Sequence, residues 1–209
     1  MTPEDTEALF TRSDGFYAFA RWGRPIVPVV FGVEDATLAV VKGAIEAVVA
    51  LAGHRMAETD PELGANLMVF LFREWSELGE VPHMDRLVPD LADLIPRLEA
   101  AGANQYRFFR FDEAGAIRAC FVFLRMDEEL MAVSAETLAL SQVVQSILLW
   151  SDLAFRDRSP LAQVGTDGPA LLRPDIADVI RAAYDPTMPA AAADPAHALR
   201  LSARTERAQ

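Results

Sequence analysis

Two periodicities of apolar residues divide the first part of the chain into a helix and two strands. A helix is predicted between residues 35 and 53, because apolar side chains recur there every three or four positions: Leu38, Val41, Ile45, Val48 and Ala52. Near-continuous apolar runs bounded by Gly or Pro predict strands at 25–32 and 66–72. Because Pro28 has no amide proton to donate, the first strand is expected either at the edge of a sheet or with an irregular start.

The second part of the chain predicts a hairpin followed by helices. Two strand-like runs, 105–111 and 116–125, are separated by a turn that contains Gly115. A helical pattern follows at about 136–150, and a shorter helix is expected to begin at Pro174. Because strands and helices do not alternate regularly, the order predicts an α+β fold with a mixed β-sheet packed against helices.

Length and composition are those of one folded domain. The chain has 209 residues, of which 52% are hydrophobic, and this is enough for one core. The predicted elements place a single α+β domain at 25–186, after an N-terminal lead-in at 1–24. Residues 187–209 are rich in Ala and Pro, and they form either a mobile tail or a loosely docked last helix.

Charge and cysteine content limit which binding partners and which cellular compartment we expect. The chain has 31 Asp and Glu residues and 19 Lys and Arg residues, so its formal net charge is -12. A surface this acidic repels phosphate, and we expect no nucleic-acid partner. The single cysteine, Cys120, requires no oxidising compartment, and no apolar run reaches the ~18 residues of a membrane span. With no signal peptide visible, we expect a soluble, cytoplasmic protein, or an exported one if a leader has been removed.

The predicted helix at 136–150 combines an apolar surface with a polar stripe. Its apolar side chains cover most of the circumference, which predicts a central, buried helix. Gln142, Gln145 and Ser146 are nevertheless spaced to lie on one face. Burying two amides without partners would cost about 1–3 kcal/mol each. The stripe therefore faces a cleft or belongs to a hydrogen-bonded network, and the sequence leaves both interpretations open.

Three segments, in order, resemble a zincin-like metallopeptidase-fold family of uncharacterised bacterial proteins, many of them predicted to be secreted. They are RWGRPIVPVVFG before and within the first strand, ANLMV in the second, and LLRPDIADVIRAAYDP near the end. The resemblance covers about residues 20–190. It implies a zincin-like fold in which the helix at 136–150 would carry the catalytic centre.

The zinc motif of that family is degenerate in this chain. In register with H-E-x-x-H the sequence reads Ser141-Gln142-Val143-Val144-Gln145, and the Asn-Asp pair that follows in the family is replaced by Ser151 and Asp152. A Gln amide is neutral, binds zinc poorly and cannot accept a proton at neutral pH. The resemblance thus implies a homologue that has lost the metal and the peptidase activity. We expect no metal and no cofactor.

Three functions remain open for such a chain. The leading hypothesis is a binding or interaction role toward a protein or peptide, in a cleft lined by Ser141, Gln142, Gln145 and Asp152. The first alternative is a hydrolase that uses carboxylates near Glu128 or Asp152 in the same cleft. The second is a structural or oligomerisation module whose polar stripe is only structural. The sequence does not fix the oligomeric state.

Overall fold

The structure, a computed structural model, describes residues 1–165 and 168–205. Within these ranges the helices are α1 (Pro3–Ala8), α2 (Asp35–Leu51), α3 (Ser76–Glu80), α4 (Met84–Leu87), α5 (Leu91–Ala100), α6 (Glu128–Met131), α7 (Ala135–Ser146), α8 (Pro174–Ala183) and α9 (Ala196–Thr205). The strands are β1 (Phe19–Ala20), β2 (Pro28–Phe31), β3 (Leu67–Phe72), β4 (Gln105–Phe111), β5 (Ile117–Arg125), β6 (Leu161–Gln163), β7 (Ala170–Leu172) and β8 (Ala191–Ala192).

The central sheet has four strands in the order β2-β3-β5-β4. β2, β3 and β5 are parallel, and β4 pairs antiparallel with β5 through the predicted hairpin. The register aligns Val30 with Val69 and Val69 with Val122. A mixed sheet with helices confirms the predicted α+β class. Of the two alternatives for Pro28, the edge position is the one found, because among the described strands β2 pairs with β3 alone.

Successive side chains of a strand point to opposite faces of the sheet, so the strands contribute apolar side chains to two separate cores. Leu67, Val69, Val122 and Leu124 lie on one face, in a cluster that includes residues of α2 and α7. The opposite face carries stacked aromatic rings, with Phe70 and Phe123 centroids 5.3 Å apart, and it packs against α3, α4 and α5. Each strand is therefore apolar on both faces, as helices on both sides of a sheet require.

Both ends of the described chain pack onto this unit. α1 contacts α9, and β1 pairs with β8 so that Phe19 lies opposite Ala192. Leu201 of α9 is fully buried in the same core as α2 and α7. Of the two interpretations of residues 187–209, the docked helix is the one found in the described part. Residues 206–209 lie outside it.

The central helix is shorter than its sequence pattern suggests. It begins at an N-cap, Ser134, whose hydroxyl accepts from the Thr137 amide, and it ends at Ser146 rather than near residue 150. Side chains from elsewhere satisfy the free carbonyl groups at its end. Trp22 Nε1 donates to Ser146 O at 2.9 Å, and the Tyr184 hydroxyl donates to Ile147 O at 2.8 Å. These contacts let the chain leave the helix one turn early.

Among the described residues, no helix is both long enough and apolar enough to cross a membrane.

Candidate functional site: a cavity at the carboxyl ends of the parallel strands

A cavity of about 1070 Å³ opens at the carboxyl ends of β2, β3 and β5. It lies on the sheet face that α2 and α7 cover, between these helices and the strands. In open sheets with parallel strands, ligands commonly bind at this edge. The volume slightly exceeds the range of about 300–1,000 Å³ that is usual for small-molecule sites.

The walls of the cavity are apolar because the strands and helices that form them direct their core-facing side chains into it. The sheet contributes Leu67, Val69, Leu71, Val122 and Leu124; the helices contribute Val41, Ile45, Leu138, Ala139 and Val143. Most of these side chains are buried. They are the positions that the strand alternation and the helical period predict as core.

Gly32 allows the wall to close at the end of β2. Its φ of +82° is in the left-handed region, and a Cβ at this position would lie 2.5 Å from the Leu71 carbonyl oxygen. Any residue with a side chain would therefore push β2 away from β3. Gly32 lets the chain turn tightly from the edge strand into α2, whose first half forms one wall of the cavity.

Gln142 and Ser146 are the buried polar side chains of the cavity lining. The Ser146 hydroxyl donates to the Gln142 carbonyl oxygen at 2.7 Å. The Gln142 amide is held from behind the cavity. Arg107 Nη2 donates to Gln142 Oε1, and Gln142 Nε2 donates to Gln105 Oε1 at 3.3 Å. Gln142 thus belongs to a hydrogen-bonded network and also lines a cleft, so both interpretations of the polar stripe apply to this residue.

Arg107 is the charged member of this network. Burial lowers its pKa to about 10, so the guanidinium remains cationic at neutral pH. Among the described residues it has no carboxylate partner, and its buried Nε has no hydrogen-bond partner. The oxygens of Gln105 and Gln142 are therefore the acceptors that stabilise this cation.

The other three predicted site residues do not line this cavity. Ser141 and Gln145 are half-buried and bond to each other, with Gln145 Nε2 donating to Ser141 Oγ at 3.0 Å. Asp152 is exposed on the loop after α7, where its carboxylate accepts from the Ser13 amide at 2.9 Å. Hydrogen bonds from the side chain and the backbone amide of Ser13 lower the pKa of Asp152. A carboxylate with a lowered pKa is a poor proton donor at neutral pH.

The mouth of the cavity is acidic. Three segments border it, residues 32–37, 73–77 and 125–136, and we call the five carboxylates of these segments that line it the acidic ring: Glu34, Glu74, Glu77, Asp127 and Glu128. The same segments hold two cations, Arg73 and Arg125. Arg125 pairs with Asp127 at 3.3 Å. Glu77 accepts the amides of Arg73 and Glu74 at 2.9 Å each.

The sequence analysis predicted a cleft at Gln142 with carboxylates near Glu128, but it did not predict the acidic ring as a whole, although part of the signal was present. Each acidic cluster stands at the start of a helix, where carboxylates complement the helix dipole. Helices that follow parallel strands begin at the same edge of the sheet. The clusters at 34–35, 74–77 and 127–129 could therefore have been placed together once β2, β3 and β5 were taken as parallel.

The remaining candidate groups for chemistry lie apart. Among the described residues, no group of three or more His, Cys, Asp or Glu side chains is arranged to hold a metal ion. Cys120 is fully buried in the core, and burial raises its pKa to about 12. His54 Nε2 pairs with the Arg24 carbonyl oxygen, His83 is exposed, and His197 Nδ1 pairs with the Tyr17 hydroxyl at 2.7 Å.

Fold and site together define a class: a mixed α+β domain with helices on both faces of its sheet and an apolar cavity at the carboxyl ends of its parallel strands. Among known proteins, no family model, no curated protein and no solved structure matches the chain. The zincin-like resemblance therefore stays a prediction from the sequence segments.

Proposed function

We propose that this chain is a binding module that takes up an apolar group of its ligand in the cavity at the carboxyl ends of β2, β3 and β5. The observation that carries the proposal is the cavity itself, about 1070 Å³ walled by Val69, Val122, Val143 and their neighbours. A domain whose polar stripe had only a structural role would gain stability by filling this space, since voids in a core are destabilising. An open apolar cavity with a fixed polar amide at Gln142 is the usual composition of a binding site.

The proposal includes the loss of peptidase chemistry that the zincin-like resemblance implies. The support is chemical: at neutral pH neither Gln142 nor Gln145 can act as the general base of a hydrolytic site. Metal analysis of protein purified without chelator is the test of this part. A content near zero zinc per chain is expected, and stoichiometric zinc that is lost on changing Gln142 and Gln145 to Ala would contradict it.

Titration with a neutral apolar dye, N-phenyl-1-naphthylamine, tests the binding proposal. The wild-type chain is expected to bind one dye molecule with increased fluorescence. Ala139 is a small, buried wall residue, so Ala139→Phe places a ring in the cavity and should weaken dye binding by about tenfold or more. Leu138→Trp, at a half-buried wall position, is a second blocking variant if Ala139→Phe does not fold.

Ala47→Phe is the matched control. Ala47 is on the exposed side of α2 and does not line the cavity, so the same added ring should leave the dye affinity unchanged. Dye binding that both blocking variants retain at full strength would contradict the proposal, as would a wild-type chain that binds no dye.

A further inference from the structure

We propose that the ligand of the cavity is a basic amphipathic helix of another protein, whose apolar side chains enter the cavity and whose cationic side chains pair with the acidic ring. This inference rests on the proposed binding function and specifies the chemistry of the partner. It is carried by two features of the mouth, its exposed apolar side chains and its excess of negative charge.

Apolar surface continues from the cavity onto the outside of the molecule. Met131 at the end of α6 is 63% exposed and Val133 is 37% exposed, and both line the mouth. A small molecule held inside the cavity would leave these side chains in water. A segment that lies across the mouth would cover them and insert its own apolar side chains below. Methionine suits such a contact, because its flexible thioether adapts to different surfaces.

The acidic ring carries more negative charge than is needed to offset the positive dipole ends of the helices that begin beside it. Five carboxylates and two guanidinium groups line the mouth. The two longer helices that begin here, α2 and α7, each add about half a positive charge. The excess is therefore about two negative charges at one opening. Of the carboxylates that line the mouth, Glu34, Glu74 and Glu128 are exposed and form no ion pair with any described residue. They are available to the Lys or Arg side chains of a partner.

An amphipathic helix that lies across the mouth is the element that this opening suits. The cavity lies between the sheet, α2 and α7, and its apolar lining continues at the mouth onto Met131 and Val133. Peptides that bind between helices usually do so as amphipathic helices, with apolar anchors at positions i, i+3 or i+4 and i+7. A basic helix of this kind matches both the apolar walls and the acidic mouth.

Fluorescence anisotropy with three labelled peptides of about 18 residues, five helical turns, tests the proposal. The first peptide is an amphipathic Leu/Lys helix, the second the same helix with Glu in place of Lys, and the third a Lys/Ser peptide without an apolar face. We expect 1:1 binding of the Leu/Lys helix, binding at least about tenfold weaker for the other two, and an affinity that falls as salt is raised.

Variants of the chain locate the contact. Glu74→Lys together with Glu128→Lys should weaken Leu/Lys binding by about tenfold, and Met131→Asp should weaken it through the apolar part of the mouth. Glu99→Lys is the matched control. Glu99 is exposed on α5, on the opposite side of the sheet, so this charge reversal should leave the affinity unchanged.

Each alternative occupant gives a different result. Equal binding of the Leu/Glu helix, or full Leu/Lys binding by Ala139→Phe, would overturn the inference. Dye binding without any peptide binding would overturn it while the proposed function stands, and a chain that binds neither would refute both. A second copy of the chain would appear as a dimer that Met131→Asp dissociates in sedimentation, and this too would overturn the inference.

Discussion

Gln142 and Gln145 are three positions apart on the same helix and have the same chemistry, but their environments differ. Gln142 is buried between the cavity and Arg107, whereas Gln145 is half-buried and its side chain pairs with Ser141. The helical period predicts that both amides share one stripe. It does not predict Arg107, whose position opposite α7 depends on the pairing of β4 with β5.

We therefore expect Gln142→Leu and Gln145→Leu to lower the free energy of unfolding by different amounts. Gln142→Leu removes an acceptor from the Arg107 cation and should lower the free energy of unfolding by about 1–3 kcal/mol. Gln145→Leu breaks only a partly solvated hydrogen bond and should change it by about 0.5 kcal/mol or less. Urea denaturation of the two variants measures the difference. Equal costs would mean that Arg107 does not depend on Gln142.

A second residue-scale prediction concerns His197, which is buried between α9 and β1. Burial, with the nearby Arg200 and Arg204 charges, lowers the His197 pKa to about 4. In the unfolded chain the pKa is about 6.5, so the unfolded state binds the proton first as the pH falls. The stability contributed by neutral His197 is complete above about pH 6.5 and is lost between about pH 6.5 and pH 4.

His197→Gln should flatten the pH dependence of the unfolding free energy in this window, by about 1–3 kcal/mol over its whole range. Part of the slope remains, because burial also lowers the pKa of His54. Leu199→Gln is the control, since Leu199 is exposed on the same helix and has no titratable group, so this change should leave the shape of the profile as it is in the wild type. A profile that His197→Gln leaves unchanged would mean that His197 has the same pKa in the folded and unfolded chain.

At the scale of elements, the prediction succeeded where periodicity extends over many residues. α2, β3 and the β4–β5 hairpin lie where their apolar patterns place them. The short helices α3, α4 and α6 and the small β6–β7 strands have four or five residues or fewer, too few for a period to be visible. The end of α7 was also not predictable. The Trp22 and Tyr184 groups that end it are 124 and 37 residues away from their acceptors.

The docking of α9 gives the element-scale prediction. Leu201 is fully buried and Leu199, two positions before it, is 58% exposed. Leu201→Ala should therefore lower the unfolding free energy by about 2–5 kcal/mol. Leu199→Ala should change it by about 0.5 kcal/mol or less. Chemical denaturation distinguishes the two variants. Equal, small effects would mean that the last helix does not contribute to the folded core.

At the scale of the whole molecule, the cavity arises from how elements meet and not from any one of them. Its lining comes from β3, β5, α2, α3, α6 and α7 and from the loops between them. The sequence predicts most of these elements separately, and it predicted Gln142 as a cleft residue. Parallel pairing of β3 with β5 was not predicted. This pairing brings the starts of the helices, with their carboxylates, to one edge of the sheet.

Methyl NMR spectra recorded during titration with N-phenyl-1-naphthylamine test the central claim most directly, because they locate the bound ligand. The account predicts that the methyl signals of Val69, Val122 and Val143 shift in proportion to the ligand bound. The signals of Leu91, Leu94 and Leu98, in the core on the opposite face of the sheet, should stay in place. Shifts in the opposite core, or none at the three valines when the dye is bound, would contradict a binding site in this cavity.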